Sequence, residues 1–90
     1  MQGTDALPRG VLVRSVAGRD AGCWFCVVGE AAGLPLLCDG RERPLQRPKR
    51  KNRKHIEPLP AIAPLGEEAL RGNKALRKTI LRLRRENGEE

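Results

Sequence analysis

The sequence predicts a mainly β domain, a small barrel or sandwich of five short strands, followed by a C-terminal helical segment. Three observations predict it. Short apolar, β-branched runs recur at close spacing between residues 10 and 59, separated by turns rich in Gly and Asp. "PLPAIAP" (58–64) then interrupts the pattern with a semi-extended stretch, because Pro fixes φ. Beyond it the apolar period changes: Leu76, Ile80 and Leu83 fall at i, i+4 and i+7, on one face of a helix. The chain has 90 residues, enough for one domain of modest core. The division expected is a flexible leader over 1–9, a barrel over 10–59, a Pro-rich linker over 60–64 and a basic helical segment over 65–90.

Each element has its own warrant. "GVLVRSV" (10–16) has the β-branched content of a strand, and "AGRDAG" (17–22) ends it in a turn. "CWFCVVG" (23–29) is a second strand, apolar on both faces: Phe25 and Val27 alternate toward the core, while Trp24, Cys26 and Val28 share the other face. Trp24 is expected beneath the C-terminal segment. "EAAG" (30–33) turns the chain, and "LPLLC" (34–38) returns it. Asp39-Gly40 suits a tight turn, so "RERPLQ" (41–46) reads as a fourth strand, at an edge because Pro44 cannot donate to a ladder. The next nine residues read as a loop, and "RKHIEPL" (53–59) as a fifth strand. Asn73 is placed to cap the helix "KALRKTILRLRREN", which is expected to stand apart from the barrel core.

Charge carries the functional argument. Residues 1–46 hold five Arg and five acids, so the whole net charge of +7 sits in residues 47–90. In "RPKRKNRKH" (47–55), six of nine residues are Arg or Lys, and the nearest acid downstream is Glu57. A self-repelling block without an internal partner points to an external one, and a neutral half joined to a basic half points to nucleic acid or an anionic membrane. No apolar run approaches the ~18 residues that span a bilayer, and "MQGTDALPRG" has neither the charged start nor the apolar stretch of a signal peptide. A cytoplasmic location with reduced thiols is the expectation.

"SxAGRDxG" (Ser15, Ala17, Gly18, Arg19, Asp20, Gly22), "FxVVG" (Phe25, Val27, Val28, Gly29), "DG" (Asp39, Gly40) and "PKRKNRKH" (Pro48 to His55) occur here in this order. Together they resemble the KOW-domain RNA-binding proteins of bacteria, whose barrel is similar to that of several archaeal and eukaryotic large-subunit ribosomal proteins. The resemblance covers roughly residues 9–59. It implies an SH3-like barrel that contacts RNA through loops and basic residues. It does not by itself name the RNA; the partner expected is ribosomal RNA, with ribosomal proteins beside it, in a ribonucleoprotein setting. The residues expected to bind RNA are Arg19, Arg47, Lys49, Arg50, Lys51, Asn52, Arg53, Lys54 and His55. The cations would act on phosphates and carry little sequence information, while Asn52 adds hydrogen bonds and His55 hydrogen-bonds or stacks on a base. Ala21 stands where such proteins often carry Lys, which leaves the first loop one phosphate contact short.

Two rival readings are weighed. "CWFC" (23–26), with Cys38 and His55, has the composition of a zinc or redox site. Residues three apart on a strand face opposite ways, however, and no metal or cofactor is expected. A protein-interaction module of the same barrel type, using Trp24 and the C-terminal helix, is the alternative function. No catalytic set is visible: there is one His, and Asp20 and Asp39 lie in turns, where they are expected to accept backbone hydrogen bonds. The expected protein is non-catalytic, binds no membrane and is a monomer.

Overall fold

A computed structural model describes residues 7–88. Its element order is β1 (Leu12–Ser15), β2 (Trp24–Ala31), β3 (Leu34–Cys38), β4 (Lys49–Arg50), a 3-10 turn (Arg53–His55), β5 (Ile56–Pro58), α1 (Glu67–Leu70) and α2 (Asn73–Glu86). The strands form one antiparallel sheet in the order β4-β3-β2-β1-β5. β4 and β5 are its two edges and do not pair with each other, so the sheet is not closed.

Alternation along the strands creates two faces, each buried. On one, Leu12, Trp24, Cys26 and Cys38 pack with Leu70, Leu76 and Ile80 of the two helices. On the other, Val13, Phe25, Val27, Leu37 and Ile56 form a second cluster from the sheet's own strands, bordered by Leu7 and Val11. The division of Phe25 and Val27 from Trp24 and Cys26 is the one the sequence predicts, and Trp24 lies under the helices as expected. A register shift between Val27 and Gly29 marks a bulge, after which β2 runs on to the Ala32-Gly33 turn. Both turn residues have positive φ, 53° and 79°, which is the geometry of a two-residue hairpin whose twist matches its strands.

Four expectations are corrected. Residues 41–46 are not a strand: they form bends and a turn, with Asp39 Oδ1 accepting the backbone N–H groups of Arg41 and Arg43 at 2.9 Å each. The fourth strand lies inside the basic block instead, where Lys49 and Arg50 pair with Leu37 and Leu36. Asn73 is not the helix cap, since Gly72 takes that position without a side-chain bond. Asn73 Oδ1 instead accepts Leu45 N–H at 2.7 Å while its Nδ2 donates to Gln46 Oε1, latching the 44–47 turn to α2. The helix does not stand apart either. Leu76 is fully buried and Ile80 is 6% exposed, both in the cluster that contains Trp24.

The intervening segment takes part in the packing: Leu59, Ile62 and Leu65 lie against the same cluster, and Leu65 and Gly10 are joined by a backbone hydrogen bond of 2.8 Å. The leader expected over 1–9 falls largely outside the described residues. Within them, Leu7 packs on the second cluster, and the Arg9 guanidinium takes both carboxylate oxygens of Glu67 at 3.1 Å and donates to Val28 O at 3.0 Å.

Candidate nucleic-acid interface

The basic block is shaped by one carboxylate. Asp20 sits in the β1–β2 turn, largely out of solvent, and accepts from Ser15 Oγ at 2.7 Å, Lys51 Nζ at 2.6 Å and Lys49 Nζ at 2.8 Å. Lys51 Nζ also donates to Ala17 O at 2.9 Å. Burial alone would raise the Asp20 pKa, but the bonds from Lys49, Lys51 and Ser15 outweigh it and hold the carboxyl well below the usual carboxylate range. The alternation of a strand explains the arrangement: Lys49 and Lys51 both reach Asp20, and Arg50 between them is exposed. Asp20 therefore clamps the first turn, which carries Arg19, to the basic strand 31 residues away.

This divides the predicted RNA-contact residues into two groups. Lys51 is only 9% exposed and its ammonium donates to Asp20 and to Ala17 O within the fold. Lys49 is half-buried in the same ion cluster. These two position the site rather than present charge, and the expectation that the block lacks an internal partner is wrong for them. Asp20 likewise accepts from side chains, rather than from the backbone as expected. Arg19, Arg47, Arg50, Asn52, Lys54 and His55 are exposed. Asn52 Oδ1 caps the 3-10 turn by accepting Lys54 N–H at 3.0 Å. Arg53 is half-buried, and its Nε is buried without a hydrogen-bond partner. His55 is tied to the end of β1 through its backbone, with Val16 N–H donating to His55 O at 2.9 Å, and its side chain is exposed.

The thiols separate in the same way. Cys23 is exposed, while Cys26 and Cys38 are directly paired across β2 and β3 and fully buried. Burial pushes the Cys26 thiol up to about 12, and burial together with nearby Asp39 pushes Cys38 up to about 11. Among the described residues no three His, Cys, Asp or Glu side chains are grouped to hold a metal ion. No helix among them is long and apolar enough to cross a membrane.

A second basic surface lies on α2. Its Lys74, Arg77, Lys78, Arg82 and Arg85 are exposed, and the Arg84 guanidinium lies 5.5 Å from the centroid of the Trp24 ring. Residues 39–43 face Arg77 and Arg84 across a groove, a placement visible only in the fold. Compared with protein-family models and with curated proteins, the chain matches none.

Proposed function

We propose that this protein is a non-catalytic RNA-binding module of the KOW type, in which the five-stranded sheet curls into an SH3-like barrel. The curl is supported by the second cluster, whose strand residues are at most 5% exposed although no helix residue belongs to it. The observation that carries the functional reading is the Asp20 clamp. It fixes the Arg19 turn against the basic strand and leaves Arg19, Arg47, Arg50, Arg53 and Lys54 as the charge available to phosphates. A fixed cationic surface of this kind binds nucleic acid through its backbone, and the partner that fits the sequence resemblance is ribosomal RNA in the cytoplasm. The alternative, a protein-interaction module presenting Trp24, is disfavoured because Trp24 is only 3% exposed.

The test is a titration of a short oligouridylate at several salt concentrations. Five phosphate contacts on a single strand give log affinity against log salt a slope of about −3.5. Changing Arg47, Arg50 and Lys54 to Ala should reduce that slope by about 2 and weaken binding to unrelated RNA sequences alike. Equal affinity of the triple variant and wild type at low salt rules out the block as the contact surface.

A further inference from the structure

Two grooves meet on the side of the molecule that carries the β1–β2 turn. One, of about 430 Å³, is lined by residues that include Arg19, Lys49 and Arg43. The other, of about 480 Å³, lies between α2 and the 39–43 loop, with Arg41, Arg77 and Arg84 around Trp24, Ile80 and Leu81. Both linings contain Cys23, Asp39 and Glu42, so the grooves adjoin at Cys23. The loop lies directly against α2: a Cβ on Gly40 would clash with the backbone oxygen of Asn73.

We propose that a single strand of RNA, bound first at the basic block, continues across Cys23 into the α2 groove, where Arg41, Arg77 and Arg84 hold its phosphates and Leu81 meets a base. The inference rests on the RNA-binding reading above. Arg77, Leu81 and Arg84 share one side of the helix, and residues seven apart are separated by about 10.5 Å along its axis. Leu81, 46% exposed, thus sits between two guanidinium groups beside the edge of the core. Exposed apolar surface flanked by cations suits an unstacked base between phosphates, whereas a duplex keeps its base faces stacked inside. Of the acids in this groove, Asp39 is turned to the backbone N–H groups of Arg41 and Arg43. Glu42 is exposed and opposes a phosphate.

The native cysteines supply the probe. Cys23 is the exposed thiol, Cys26 and Cys38 are buried, and alkylation of the folded protein therefore reports on the junction of the grooves. Saturating oligouridylate should slow Cys23 alkylation several-fold, and its duplex with oligoadenylate should slow it less. On an oligouridylate long enough to reach from the basic block into the α2 groove, Arg41→Ala with Arg77→Ala should reduce the salt slope by about 1.4, two phosphate contacts' worth. Arg84 is left intact because it packs over Trp24. Glu42→Gln should tighten binding, a gain that misfolding does not mimic. Oligouridylate binding that depends on Arg50 and Lys54, with Cys23 reactivity and the Arg41/Arg77 slope unchanged, overturns this path and leaves the RNA-binding reading standing. Absence of oligouridylate binding at low salt overturns that reading and the path together.

Discussion

Lys51 shows how far one side chain's role departs from its composition. In the sequence it is one of six cations in nine residues, while in the fold it is the most buried of them, bonded to Asp20 and Ala17 O. Removing one partner of such a pair leaves the other charged and desolvated, so Asp20→Asn should cost about 3 kcal/mol at neutral pH, and Lys51→Met a similar amount. Arg50→Ala, exposed on the other side of the same strand, should change stability by no more than about 0.5 kcal/mol. Because the folded pKa of Asp20 is depressed, its contribution is fully present above the ordinary carboxylate value of 3.8 and is lost as pH falls below it toward the folded value. The stability gap between wild type and Asp20→Asn should therefore hold from neutral pH to about 4 and close in more acid solution. Urea titrations across that range measure it, and a gap independent of pH would show that Asp20 acts through its shape alone. None of this was legible in the sequence. The block reads as lacking an internal partner because its acid lies some thirty residues upstream, and no local pattern announces an ion pair at that separation.

At the scale of elements, the alternation of β2 was legible because period two is a local property: Phe25 and Val27 had to face one way and Trp24 and Cys26 the other. The fourth strand was misplaced because Lys49 and Arg50 have poor strand propensity and are extended only by pairing with β3. Residues 41–46 read as a strand only because the Asp39-Gly40 turn precedes them, yet Asp39 folds them back by capping the N–H groups of Arg41 and Arg43. The Asp39-Gly40 turn was predicted for its positive φ, and Gly40 has φ of 78°. Its second role, contact with the first turns of α2, is a tertiary fact. Gly40→Ala brings both penalties, a strained backbone and a Cβ against Asn73 O with no flexible side chain to yield. It should destabilise the protein by about 2 kcal/mol or more. The mutant should also lose the latch that Asn73 forms with Leu45 and Gln46, read as faster amide exchange at Leu45. Unchanged exchange there would mean that the loop and helix are not held together by this contact.

For the molecule as a whole, the decisive question is whether the sheet survives without its helices. The sequence suggests that it does, since Leu76, Ile80 and Leu83 make a narrow stripe beyond a Pro-rich stretch. The stripe was read correctly, but the surface that receives it was not, because strand residues apolar on both faces do not reveal which face lacks a cover. In the fold, Leu70, Leu76 and Ile80 cover Leu12, Trp24, Cys26 and Cys38. Full burial of three aliphatic side chains contributes about 5–9 kcal/mol. The entire stability expected of a 90-residue domain is only about 5–13 kcal/mol. Deleting residues 65–90 also removes the Arg9–Glu67 bonds and the Leu65–Gly10 backbone bond that close this side of the sheet. A chain of residues 1–64 should therefore be unfolded at 25 °C, with a collapsed amide spectrum. Leu76→Ala should cost about 2–5 kcal/mol in the full chain. A dispersed spectrum from the truncated chain, with the β1–β2 and β2–β3 pairings intact, would show that the sheet carries its own stability and that the helices are an appendage.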